Sequence, residues 1–336
     1  MKYPILPFIL FFSILFSSST FADEANTHAV PTPDERSGLY RFVDLYGGTW
    51  STLGEGSWEI SFPFGGSIGR SKLEFEYIDS TLYTVGAKIK PYLYFVTIDA
   101  RYASGNIQAG TTIDSDWIGG LLFSRSESDA DGDVEYLALD VFLLLHPLRG
   151  RMAGWGTGRA KPPHLATLEF FVGWFRYEDR IDITNGVQVI PPSGPFSGLD
   201  SEYDFQWWGF RSGLKYEWDF IRRPSRFLYA LGVKAWGAYL WAVDYEGEGI
   251  WNLRTDLAQD PSFRHDADGD GFEGQIGLFY SPFKHFKVEL AYRILSLSAE
   301  DGTDKTFFSD GTIGEADLDK VRSRRHGILL LLSCYF

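Results

Sequence analysis

The sequence predicts an all-β protein, a closed antiparallel transmembrane β-barrel of about ten strands. Three features point there. Apolar and polar residues alternate with period two over long stretches. The connections between those stretches alternate between short and long. Aromatic residues make up 17% of the chain and gather near the ends of the stretches. Many stretches run to ~15–20 residues, beyond the ~5–6 usual in globular sheets. In lipid every backbone group must be paired within the protein, so such a sheet has to close on itself.

Composition removes other classes. A formal net charge of −14 leaves no basic face for nucleic acid. A single cysteine excludes a disulfide framework. The N-terminus reads as an export signal: Lys2, the apolar run from Ile5 to Phe16, then Ser17 to Ala22 ahead of Asp23. Cleavage is expected after Ala22, with an extension over 23–38 and the barrel over 39–336. No later apolar run is long enough for a membrane helix. The bacterial outer membrane is the expected location.

In chain order, strands are expected near 40–60, 68–90, 92–106, 134–146, 166–184, 203–220, 226–246, 271–281, 286–299 and 322–336. The second sets Leu73, Phe75, Tyr77, Tyr83, Val85 and Ile89 against Lys72, Glu74, Glu76 and Lys88. The third sets Tyr94, Val96, Ile98 and Tyr102 against Thr97, Asp99 and Arg101. The sixth sets Phe210, Leu214 and Tyr216 against Arg211, Lys215 and Glu217. In the seventh, Lys234 marks the polar face; in the ninth, Val288, Leu290 and Tyr292 oppose Lys287, Glu289 and Arg293. The chain closes on Tyr335-Phe336, an aromatic end typical of outer-membrane barrels. Polar faces are assigned to the lumen, where charges of both signs would pair and plug a narrow barrel. Lys90-Pro91, Ile221 to Ser225 and Ser281 to Phe286 form short turns. Gly105 to Gly132, Asn185 to Glu202, Gly247 to Gly271 and Glu300 to Lys320 read as long polar outer loops. Pro147 to His164 falls on the short-turn side, as a periplasmic insertion.

One run of residues resembles a known family. Gly65-Gly66, the second strand, and then Thr111-Thr112-Ile113-Asp114-Ser115-Asp116-Trp117 resemble the omptins, ten-stranded outer-membrane endopeptidases with a groove at the extracellular mouth. The specific match is the Asp-x-Asp-Trp element, while strand order is similar over most of the mature chain. The resemblance implies that Asp114 and Asp116 orient a water on one side of the groove. A His–Asp pair would act as general base on the other. Counted from Trp241, the family's Asp falls on Glu248 and its His on Ile250, and an isoleucine cannot take a proton. The resemblance therefore implies a divergent member with an incomplete catalytic site. His265, between Arg264 and Asp266, reads as a solvated loop histidine. Lipopolysaccharide is an implied partner, with Glu178 and Arg180 resembling part of the family's contact. Arg322, Arg324 and Arg325 form another basic cluster.

Two acidic patterns add further chemistry. Asp244, Glu246 and Glu248 share one face, which extrapolation from Lys234 places in the lumen. With Asp114 and Asp116 they would form an acidic groove suited to a cationic peptide or a divalent ion. Asp266-Ala-Asp268-Gly-Asp270-Gly271 matches the first half of a calcium loop but has Gly277 at the twelfth position. Asp129-Ala-Asp131-Gly-Asp133 is similar; in either run the plainer reading is a solvated acidic loop. Three functions stay open: a non-proteolytic barrel that binds peptide, cation or surface ligand at an acidic mouth, an active endopeptidase, and a small porin.

Overall fold

The computed structural model describes residues 43–91, 95–150, 164–222 and 227–336. The expected export signal, the extension over 23–38 and most of the periplasmic insertion lie outside them. Ten long strands, of 19 to 30 residues, form one antiparallel ring. They are β1 (Val43–Phe64), β2 (Ser67–Ile89), β3 (Val96–Ile118), β4 (Leu121–Gly150), β5 (His164–Ile190), β7 (Asp200–Arg222), β8 (Ala230–Ile250), β9 (Phe263–Ser281), β10 (Phe286–Phe307) and β11 (Ile313–Tyr335). β6 (Gly194–Pro195) is a two-residue rung that pairs with β5. Each long strand pairs with its chain neighbour, and β1 pairs with β11 to close the ring.

The strands are about twice the ~9–11 residues a bilayer needs. Their lower halves carry the lipid belt: Leu139, Leu214, Ile276, Leu290, Ile328 and Leu332 all point outward and are exposed. Their upper halves continue into the regions expected to be long loops. β3 and β4 meet in a turn of only Gly119-Gly120 (φ 57° and 83°), and β1 and β2 in Gly65-Gly66 (φ 53° and 86°). Both central residues of such a hairpin turn need positive φ, which glycine adopts freely. The loop expectation failed because strand faces above the belt meet water. Polar residues there mark an outward face, not a loop.

Crossing from lipid to water forces the apolar side of a strand to move from outside to inside. Several strands make that exchange with a β-bulge, an extra residue that flips every side chain beyond it. β2 does so at Tyr77 (φ 55°) and β8 at Ala242 (φ 47°), and β3 shifts register between Ile107 and Thr111; β5 and β10 also bulge, at Asn185 (φ 55°) and Asp301 (φ 56°), but nearer their upper ends, above inward Ile183 and Ala299. On β2, Tyr83 and Val85 face out below the bulge, whereas Leu73 and Phe75 above it are buried inside. Lys72, Glu74 and Glu76, expected in the lumen, therefore point outward, and Lys72 bonds Glu74 across the surface at 2.5 Å. β7 needs no bulge, because its inward positions change from Tyr203, Phe205 and Trp207 to Arg211 as it descends.

The lumen holds two layers of different chemistry. At the level of the belt, charges pair as expected. Arg211 grips Asp140 with two bonds at 2.5 and 2.8 Å and also reaches Glu273, which Arg293 binds from the neighbouring strand β10. Below them stand Lys234–Glu289 at 2.8 Å, Lys287–Glu217 at 2.8 Å and Lys215–Glu169 at 2.6 Å. Arg325 also turns inward rather than joining Arg322 and Arg324 on the outer wall, and meets Asp179 at 2.8 Å. The upper layer is an aromatic core, so many of the rings near the strand ends face the lumen. Trp58, Phe75, Tyr203, Phe205, Trp207 and Tyr245 are buried there, with ring centroids 4.3 Å apart for Tyr203–Phe205 and 4.5 Å for Trp207–Tyr245. The upper half is packed like a water-soluble barrel, apolar inside and polar outside.

Two outcomes follow from this packing. Purified protein in planar bilayers will show no sustained channel current, and a stable open conductance would contradict the plugged lumen. Ala242→Gly will stabilise the protein by about 0.5–1 kcal/mol in detergent-micelle unfolding, because a non-glycine residue pays ~1 kcal/mol at positive φ. Destabilisation by that change would show that the β8 bulge is not held against strain.

Candidate functional site

The aromatic core leaves a cleft of about 480 Å³ at the upper end of the barrel. Asp114 and Asp116 line it from β3, His265 from β9 and Asp304 from β10. β9 stands five strands from β3 in either direction round the ring, so the two groups face each other across it. The bulges place them. The β3 register shift turns Thr112, Asp114 and Asp116 inward, and the β10 bulge at Asp301 turns Asp304 inward.

Asp114 and Asp116 are two positions apart on one face of a strand, so their charges repel at short range. Burial pushes the Asp114 carboxyl up to about 7, and the neighbouring Asp116 charge adds to it. Asp116 is raised too, chiefly by burial, while hydrogen bonds from Ser71 and Ser124 favour its ionised form. Near neutrality the Asp114 carboxyl is therefore partly protonated beside Asp116. Arg254, on the loop between β8 and β9, also lines the cleft and attracts both carboxylates.

Across the cleft, His265 is fully buried. Its Nδ1 lies 2.9 Å from the Tyr203 hydroxyl, which meets the Tyr245 hydroxyl at 2.6 Å. That contact passes over Gly247, where a Cβ would stand 2.2 Å from the Tyr245 oxygen. Its Nε2 is 3.1 Å from Asp304 Oδ1, within ion-pair distance but without hydrogen-bond alignment. Trp58 packs edge-on to the ring at 5.1 Å and Phe263 lies at 5.0 Å. The histidine is a packed member of the aromatic core, not a solvated loop residue.

The other expected site residues lie elsewhere. Asp244 and Glu246 are exposed on the outer wall and Glu248 lies half-exposed on the same face, because the Ala242 bulge reverses the parity carried up from Lys234. Asp266, Asp268 and Asp270 lie on extended β9, also facing out, opposite Glu246 and Asp244. An extended strand cannot wrap a calcium ion as a loop does. Among the described residues no group of three or more His, Cys, Asp or Glu side chains is placed to hold a metal. Glu248 is bonded to Arg264, and Ile250 pairs with Glu202 at the top of β8. Glu178 is flanked by Arg176 and Arg180 on the outer wall, so Arg180 already has a carboxylate partner. Sequence reasoning missed the His265–Asp304 pair and Arg254. The unbroken odd-numbered inward face of β9, which joins Phe263 and His265 to Glu273, was the available signal for His265.

A closed ring of ten antiparallel strands with a lipid belt and a charged, plugged lumen defines a transmembrane β-barrel. Residues 162–336 match Pom, the Protochlamydia outer membrane protein family, and the chain belongs to that family of the outer membrane. The outer membrane protease OmpT from Escherichia coli superposes with a TM-score of 0.69 over 93% of this chain and 100% of its own, at 11% identity. That likeness shows the fold, including the omptin-like strand order. The translocator domain of the autotransporter NalP from Neisseria meningitidis (TM-score 0.31, 13% identity, 90% of this chain and 92% of its own) is a more distant match. So is a Pseudomonas aeruginosa FadL homologue (0.27, 8%, 88% and 90%). No curated protein matches the sequence.

Asp114 carries a stability signature. Its raised pKa means the folded protein binds more protons than the unfolded chain between about pH 4 and 7, so stability at this site falls as pH rises through that window. Asp114→Asn should remove the penalty, making the variant more stable than wild type at pH 8 by up to about 4 kcal/mol and no more stable at pH 4. Parallel unfolding curves at the two pH values would refute the buried, repelled pair.

Proposed function

We propose that this barrel is a binding protein whose outward cleft takes a basic ligand, a peptide carrying a lysine or arginine side chain. The observation that carries the reading is the Asp114–Asp116 pair on the cleft wall. Two crowded carboxylates gain from an ammonium or guanidinium that displaces the proton held on Asp114 and relieves their repulsion. The buried aromatic walls supply the apolar contact that holds the stem of such a side chain. The acidic mouth on this reading is small, since Asp244, Glu246 and Glu248 are not part of it.

Titration calorimetry of the refolded protein with a short arginine-containing peptide tests it. Affinity should rise about tenfold between pH 6 and 8 as Asp114 ionises, and Asp114→Asn or Asp116→Asn should each cost at least that much. Binding that ignores both substitutions and pH would end the proposal.

Endopeptidase activity is the second reading, favoured by the His265–Asp304 pair opposite the aspartates. Against it, the imidazole is enclosed by Trp58, Phe263 and Tyr203, and a general base must reach the water it activates. Mass spectrometry of the same peptide after incubation separates the two. Intact peptide is expected, whereas cleavage lost in both His265→Ala and Asp116→Ala would establish the enzyme.

A further inference from the structure

We propose that the cleft is shaped for an amphoteric peptide segment, with a basic residue beside a carboxylate that Arg254 reads. This rests on the basic-ligand reading above and names the other half of the ligand.

Arg254 is held in one orientation. Its Nε and Nη2 donate to Asp256 Oδ1 and Oδ2 at 2.9 and 2.7 Å, a side-on pair that leaves Nη1 and the end edge of the guanidinium without a partner among the described residues. The backbone beneath is fixed as well. The Arg254 N–H donates to the Trp251 carbonyl at 3.0 Å, and its own carbonyl accepts from Leu257 at 2.9 Å and Gln259 at 3.1 Å. The loop is tied to the chain after β10, where Ser309 donates to the Asp256 carbonyl at 2.9 Å and Ala258 donates to Phe307 at 2.8 Å. The Arg254–Asp256 pair is more than half exposed and contributes little to holding the loop, which the backbone bonds already secure. What the pair does is aim a cation at a cleft whose other wall carries two aspartates.

That arrangement discriminates. A ligand with positive charge alone meets Arg254 as a like charge, and one with negative charge alone meets Asp114 and Asp116. A basic side chain beside a carboxylate satisfies both walls. The cleft lining also includes Thr112 and Trp58, whose Oγ1 and Nε1 are buried without a hydrogen-bond partner among the described residues. Donors and acceptors of that kind suit the C=O and N–H groups of a peptide main chain.

The test uses full-length protein refolded in detergent micelles at pH 8 and two peptide pairs. One is Ala-Ala-Ala-Arg with a free or an amidated C-terminus; the other is amidated Ala-Arg-Asp-Ala or Ala-Arg-Asn-Ala. Wild type should prefer the carboxylate-bearing member of at least one pair by about tenfold, ~1.4 kcal/mol. Arg254→Gln should erase that preference while still binding the amidated peptide, and Arg254→Lys should keep part of it. Asp114-dependent binding with no preference in either pair, or a preference that survives Arg254→Gln, overturns this inference alone. Failure of every peptide to bind overturns it together with the basic-ligand reading.

Discussion

One sheet in two solvents is the constraint on which the architecture depends. Below the rim of the bilayer the outer face of each strand must be apolar, and above it the same face must be polar. A strand can meet that demand by changing composition along one face, as β7 does between Trp207 and Arg211. It can also keep its alternation and insert a residue, as β2 and β8 do at Tyr77 and Ala242. Placing non-glycine residues at positive φ costs about 1 kcal/mol each. The exchange of faces repays it by burying Phe75 and Tyr245 above the bulges while leaving Tyr83 and Tyr239 in the lipid belt below.

The charged lumen and the aromatic core are consequences of the same exchange. Inward positions at belt level are polar, and in a narrow barrel they can be satisfied only by each other. Glu273 between Arg211 and Arg293 shows how closely that is done: all three are almost fully buried, and each has an opposite charge in contact. An unpaired member would be costly in a low-dielectric interior. Above them, inward positions become apolar, and the barrel gains a core that fixes the cleft walls on rigid strands. The site therefore has a firm floor of charge pairs and aromatic rings, with the loop of Arg254 closing it from one side.

This accounts for what the sequence made legible. Period-two alternation identified the barrel, the strand order and the lumen positions of Lys88, Asp99, Arg211, Lys234, Glu289 and Arg293, because no bulge separates each from the belt-level alternation of its strand. It failed above the bulges. Extrapolation placed Glu74 and Glu248 in the lumen when both face water, since one inserted residue reverses a whole strand end and leaves no mark on the alternation. Asp114 and Asp116 were recognised from a motif, which needs no parity, and they do line the cleft. Asp304 could not be read, because it lies beyond the Asp301 bulge and its partner is on another strand. Arg254 acquires meaning only from the fold of its loop.

The place of His265 shows why fold likeness does not settle chemistry. A His–Asp pair opposite two aspartates has the members an omptin-like mechanism requires, and the barrel brings them to one cleft. Proton transfer depends on access as much as on identity. Nδ1 faces the Tyr203 hydroxyl, Nε2 faces Asp304, and aromatic rings pack around the imidazole, so both nitrogens are directed into the protein. The carboxylates expected to make a large acidic groove, Asp244, Glu246 and Glu248, are turned outward by the same bulge that buries Tyr245. Packing Tyr203, Tyr245 and His265 together strengthens the upper core and simultaneously withdraws the only histidine that lines the described cleft. In this chain the packing that stabilises the barrel mouth is the same packing that encloses the imidazole.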